Sequence, residues 1–280
     1  MSNEHEVRPI RRLLAFDTST SSLAVAVMED GKLLAERNIR AERNHSAYLV
    51  GAIGDALAVA GTAKTALDGV AVGVGPGSYT GARIAVTTAK TLAWALHLPV
   101  YGLSSLEALA WGGFAQGAGL DAANLGVPTS PATASAGAAG TSGDHWVIPL
   151  VDARRGQAYT ALFAAGAGRP SPERMEPDAV RLMADWTEQL GARLRELTPA
   201  ERPAGVWFVG ETGQHAPAAE ALRPLLGEAL HVIPYELEGI AVGLAAVRRA
   251  RTAGGDEVHA LEPNYTQLAE AEAKRLRERR

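Results

Sequence analysis

The chain has no cysteine, so disulfides, thiolate nucleophiles and cysteine-ligated metals are excluded at the outset. Aromatic residues make up only 5% of it, and no apolar run approaches the length needed to span a bilayer. An excess of positive charge is also lacking: the formal net charge is -4 and the isoelectric point is near 6.0, which argues against a broad basic face that holds nucleic acid unaided. The opening residues, MSNEHEVRPIRR, lack the apolar stretch of a signal peptide, so the expected location is the cytoplasm. What is abundant is apolar content, 47% of 280 residues, enough for about two packed domains.

The first third reads as a meander followed by alternating helices and strands. Arg12 to Phe16 and Leu23 to Met28 are short apolar runs separated by the polar DTSTSS. Asp30-Gly31 is a hairpin turn signal, so Lys32 to Ile39 should return antiparallel. Leu49, Ile53 and Leu57 recur at helical spacing after a candidate cap at Asn44, with Gly61 as the stop. A buried strand over Gly69 to Val74, a helix over Thr80 to Leu96, a strand over Val100 to Leu103 and a helix from near Ser104 complete the order βββαβαβα.

From Gly112 to Gly143 the composition turns to Gly, Ala, Ser, Thr and Pro, and periodicity disappears, as expected of a linker or insertion. Beyond it, HWVIPLV, DARRG and QAYTALFA repeat the earlier plan of strand, Asp-led turn and strand. Later expectations are a helix over Asp178 to Leu197, a strand over Val206 to Val209, a helix around Pro217 to Leu226, a strand near His231 to Ile233 and a helix over Ile240 to Arg251. The division is therefore 1–111, insertion 112–144, second subdomain 145–265, and a charged helix or tail 266–280. Two βββαβα-type halves point to an α/β fold of the duplicated actin-like ATPase class, which includes sugar kinases, acetate kinase and Hsp70.

In that architecture the first turn of each half wraps a nucleotide phosphate, and an Asp at the strand end helps hold Mg²⁺. Asp17, Thr18, Ser19 and Thr20 have suitable polarity for the first turn. The second, Asp152-Ala153-Arg154-Arg155-Gly156, is not the small glycine-rich loop that backbone amides need to reach a phosphate. The segment GVGPGSYTGARIAVTTAK, Gly73 to Lys90, looks like a phosphate cradle, yet no register of its glycines gives GxxxxGK or GxGxxG. Gly75, Pro76, Gly77, Tyr79 and Gly81 then form a turn, with Ser78 or Thr80 placed to cap a helix that carries Arg83. Structural turn and binding loop both remain open on chemistry alone.

GPGSYTGARI, with LLAFDTSTSSLAVAV before it, NHSAYLV between and VDARRGQAY after, strongly resembles the bacterial TsaB family, also called YeaZ. Members are inactive paralogues of the threonylcarbamoyl transferase TsaD, and the resemblance covers roughly Leu13 to Phe163 outside the insertion. It implies a subunit that works with TsaD, and through that pair with the ATPase TsaE, to make N6-threonylcarbamoyladenosine at position 37 of tRNAs reading ANN codons. The partner would be bound directly, the tRNA indirectly and no membrane at all. No intrinsic cofactor or metal is implied, with ATP or ADP left open at the interface of the complex.

TsaD-like enzymes hold a metal through a helical HxxxH pair. The seven histidines here include no two four residues apart, and the corresponding segment reads Ser104-Ser105-Leu106-Glu107-Ala108. A kinase or ATPase and a metallopeptidase are the alternative classes. Without catalysis the surface must carry the function. Ala47, Gly51, Gly54 and Ala58 on one helix, and Ala85, Ala89 and Ala93 on the next, form small-residue rows that allow close helix approach. The resemblance implies that these two helices pair with their counterparts in TsaD, or with themselves in a homodimer. Family members often end in Pro-x-Tyr-Leu-Arg, whereas here Pro263-Asn264-Tyr265 continues as Thr266-Gln267.

Overall fold

A computed structural model describes residues 10–41, 44–120, 143–166 and 169–266. The first sheet begins with β1 (Arg12–Asp17), β2 (Ser22–Glu29) and β3 (Lys32–Arg40), paired antiparallel in sequence. Asp30 and Gly31 both have positive φ, 51° and 85°, as a type I′ turn requires. Helix α1 (His45–Val59) leads to β4 (Gly69–Gly73), and α2 (Tyr79–Leu96) leads to β5 (Val100–Leu103). Both strands run parallel to β1, giving the order β3-β2-β1-β4-β5.

The second half repeats this strand for strand. β6 (Asp144–Asp152), β7 (Gln157–Gly166) and β8 (Glu173–Leu182) form the meander, while β9 (Gly205–Gly210) and β10 (Leu230–Pro234) are parallel to β6. The order β8-β7-β6-β9-β10 matches the first sheet, so the duplicated α/β plan expected from the turns is present. The expected irregular connection falls mostly on residues 121–142, which lie outside the described residues, as does the tail 267–280.

Alternation along the inner strands sorts side chains onto two faces. Leu14 and Phe16 of β1, with Val25 and Val27 of β2, pack under α1 and α2. Leu13 and Ala15, with Ala24 and Ala26, face a central layer shared with Val147, Phe163 and Val209 of the second sheet. That layer holds α3 (Ser105–Gly117) and α7 (Gly239–Thr252), while α4 (Met183–Glu196) covers the far face of the second sheet, with α5 (Ala216–Glu220) and α6 (Arg223–Leu226) beside it.

The central layer corrects the expected boundaries. α3 belongs to the first half in sequence but packs on β6, β7 and β9, while α7 crosses back onto β1 and β2. β3 anchors that return: Asn38 Oδ1 accepts from the Gly239 N–H at 2.7 Å and Glu36 Oε2 from the Ile240 N–H at 2.9 Å. Gly112 to Gly117 are helical rather than linker. The absence of a side chain at Gly112 and Gly113 lets α3 lie close to the second half: a Cβ on Gly112 would sit 2.1 Å from the Tyr235 hydroxyl, and one on Gly113 2.6 Å from Val209.

Three further expectations change. Residues 178–182 are strand, the end of β8, an edge strand whose polar composition and Pro177 conceal it. The helix expected over 217–226 is two short helices, the second with Pro224 in its first turn. Asn44 occupies the N-cap position of α1 but makes no side-chain cap. Among the described residues no helix is long and apolar enough to cross a membrane.

Candidate functional site

The first Asp-led turn is sealed. Asp17 ends β1 with no solvent exposure, and its Oδ1 accepts from the backbone N–H and the hydroxyl of Ser19, each at 2.6 Å. The Ser105 hydroxyl donates to Oδ2. Burial pushes the Asp17 carboxyl above its ordinary range, opposed by the Ser105 and Ser19 hydrogen bonds and by His45. His45, at the start of α1, is itself buried and pushed down, chiefly by desolvation.

The glycine segment packs directly onto this turn. The Ser78 N–H donates to the Ser19 carbonyl at 2.6 Å, and the Thr18 hydroxyl donates to the Gly81 carbonyl at 2.7 Å. A Cβ would lie 1.7 Å from Asp17 Oδ2 at Gly73, 2.3 Å from the Ser19 oxygen at Gly77 and 1.9 Å from the Thr18 oxygen at Gly81. These glycines are therefore explained by close approach of chain to chain. Gly75 is clamped by Ser105, whose N–H donates to the Gly75 carbonyl at 2.9 Å and whose hydroxyl accepts from the Gly75 N–H at 3.0 Å. Pro76 is buried beside it, Thr20 is buried too, and Thr80 is exposed. Ser78, not Thr80, caps α2, accepting from the Gly81 N–H at 3.2 Å.

The second turn is built differently. Arg154 and Arg155 have φ of 66° and 55° and exposed side chains, followed by Gly156 at 74°. Asp152 Oδ1 accepts from the Arg154 N–H at 2.9 Å, and the Asp152 N–H donates to Glu211 Oε2 at 2.8 Å. Buried His215 brings Nε2 to 3.3 Å from Asp152 Oδ1. Glu211 and His215 were not singled out in the sequence. The signal was available, since VGET follows β9 where VGVGPG follows β4.

The two small-residue rows have opposite fates. Ala47, Gly51, Gly54 and Ala58 are exposed along the outer side of α1, with open space over both glycines. Val50 on the same side is 71% exposed, and Val59 is exposed near the end of the helix. Ala85, Ala89 and Ala93 are buried at 0%, 0% and 1%, which corrects their assignment to a partner surface. They let α2 lie close over β4, and the outer side of α2 instead presents Arg83, Thr87, Thr91 and a 65% exposed Trp94. Val50 and Trp94 escaped a reading that looked only for small residues.

The C-terminal segment straps the first half. The Asp256 N–H donates to the Val100 carbonyl at 2.8 Å, Lys90 Nζ donates to the carbonyls of His259 and Leu261 at 2.9 and 3.1 Å, and the Asn264 N–H donates to the Val74 carbonyl at 2.8 Å. Tyr265 thereby meets Tyr79, with ring centroids 5.3 Å apart, and the Arg83 guanidinium donates to the Tyr79 hydroxyl at 2.9 Å.

Chemically, the first turn is a structural knot, while α1 offers a surface of small and apolar residues around an exposed Asp55. Comparisons with known proteins give that contrast a context. Residues 39–123 match the family model described as TsaD, tRNA N6-adenosine threonylcarbamoyltransferase. The chain is 34% identical over 266 residues to the tRNA threonylcarbamoyladenosine biosynthesis protein TsaB of Bacillus subtilis, covering 94% of this chain and 96% of that one. It is 31% identical over 152 residues to the Escherichia coli protein of the same name, 54% of each chain. The solved structure of YeaZ from Pseudomonas aeruginosa shares the fold, with a TM-score of 0.63 at 23% identity, covering 91% of this chain and all of that one.

Proposed function

This chain belongs to the TsaB family, and from that membership we propose that it is a non-catalytic subunit in the synthesis of tRNA N6-threonylcarbamoyladenosine. It binds TsaD directly and supports transfer of the threonylcarbamoyl group from its adenylate to adenosine 37 of the tRNA. TsaE joins through that pair, and tRNA meets the chain only within the assembly.

One observation carries the non-catalytic part of this reading: the first phosphate-type turn is filled by the protein's own backbone. Asp17 is committed to Ser19 and Ser105, and the glycine loop is committed to Thr18 and Ser19. The loop fixes where α2 begins, and the chain then acts through the outer sides of α1 and α2. Val50, Gly51, Gly54 and Ala58 supply the close-packing surface, and Trp94 a large apolar contact. A homodimer would compete for the same surface, and ATP or ADP would enter only at the interface with TsaD.

The test is reconstitution of tRNA modification with TsaC, TsaD and TsaE, with and without this chain. Modification should require it, and the chain alone should modify nothing. Equal modification in its absence would refute the reading, as would turnover by the chain alone.

A further inference from the structure

The strap and the first turn of α2 together build a surface feature about three helical turns from Trp94, the α2 residue that the helix-pairing reading uses. Tyr79 is 48% exposed and Tyr265 44%, and their rings are tilted 34° to one another. Arg83, one turn along α2, places its guanidinium 5.3 Å from the Tyr79 ring centroid while donating to the Tyr79 hydroxyl. Among the described residues Arg83 takes part in no ion pair. The rings are held in advance, because Asn264 is fixed to Val74 and Lys90 to His259 and Leu261.

Two half-exposed aromatic rings beside a guanidinium that, among the described residues, has no carboxylate partner suit one ligand chemistry particularly well: an unpaired nucleobase with its phosphate. Rings stack the base and the cation meets the phosphate. The net charge of -4 means attraction here must be local. We infer that Tyr79, Tyr265 and Arg83 form a stacking platform for an unpaired nucleotide of the tRNA held by the assembled complex. The inference rests on the tRNA reading above and deepens it.

The test uses the full chain assembled with TsaD, and a fluorescent, unmodified anticodon stem-loop RNA as probe. Anisotropy at fixed ionic strength should show Y79A/Y265A weakening RNA binding about tenfold, given the usual size of a base-stacking contact. Y79F/Y265F should retain it, and R83Q should lower the salt slope by about one. Unchanged affinity in Y79A/Y265A overturns the inference. So does loss of TsaD by Y79A/Y265A while R83Q keeps wild-type RNA affinity and salt slope, which would make the patch a protein contact. If the wild-type chain is required for modification while RNA binding ignores these variants, the platform fails and the functional reading stands. If modification does not require the chain, the functional reading itself fails.

Discussion

The Thr18 hydroxyl donates to the Gly81 carbonyl at 2.7 Å, and the Thr18 carbonyl lies where a Gly81 side chain would begin, 1.9 Å from a Cβ built there. Gly81→Ala must therefore displace backbone, at a cost of about 2–3 kcal/mol. Gly54→Ala, also on a helix but facing open space, should gain about 0.5–1 kcal/mol from helix propensity. Paired urea melts of the two variants check this, and equal stabilities would mean that the glycine loop does not pack as described.

Surface and core variants of the first two helices should separate cleanly. Val50→Asp sits on an exposed position and should shift stability by no more than about 0.5 kcal/mol, Gly54→Arg should gain about as much as Gly54→Ala, and both should abolish co-purification with TsaD. Ala89→Arg places a cation at a site with no exposure and should cost more than about 3 kcal/mol. Its loss of partner binding would report unfolding, as thermal melts run alongside the pull-downs would reveal.

Acid should weaken the fold before it reaches ordinary carboxylate pKa values. His45, His145 and His231 are all pushed below 6.5, chiefly by burial. The unfolded chain then takes up protons that the folded chain refuses, so stability is intact above 6.5 and falls as pH drops below it toward the folded values. His145 has a visible reason: its Nδ1 accepts from the Trp207 indole N–H at 3.1 Å, and protonating that nitrogen removes the acceptor. Melting temperature against pH, from neutral to about pH 5, should slope downward, and more gently in His145→Gln, which keeps an acceptor.

A fourth expectation concerns the junction of the halves. The Ser104 hydroxyl, which caps α3 through the Glu107 N–H, donates to Asp178 of β8 at 2.7 Å. Asp178→Ala should cost about 1–3 kcal/mol and Ser104→Ala about 1 kcal/mol. The double variant should cost less than the sum, because the two share one interaction. A double-mutant cycle by chemical denaturation measures the coupling.

The first sheet was legible because its inner strands are continuous apolar runs closed by a turn dipeptide such as Asp30-Gly31. β8 was not, since an edge strand can be polar and carry Pro177. Gly112 and Gly113 imitated a linker because absence of a side chain serves a loop and a tight helix contact equally. The alanine row of α2 misled for the same reason: small residues every four positions mark close approach, and the sequence does not say whether the neighbour is the chain's own sheet or another protein. On α1 the same signal lay on the outside. Ser105 and the strap, both central to the site, are tied to it by contacts between residues distant in sequence, which periodicity cannot register.

The central claim is that the chain works through the outer sides of α1 and α2, while its phosphate-type turn serves only its own fold. Hydrogen exchange of the purified chain, with and without TsaD, tests it most directly. Residues 73–81 should be protected in the free chain and little altered by ATP, and adding TsaD should newly protect α1 and the exposed side of α2. Protection of residues 17–20 and 73–81 that appears only with ATP, with α1 unchanged by TsaD, would contradict it.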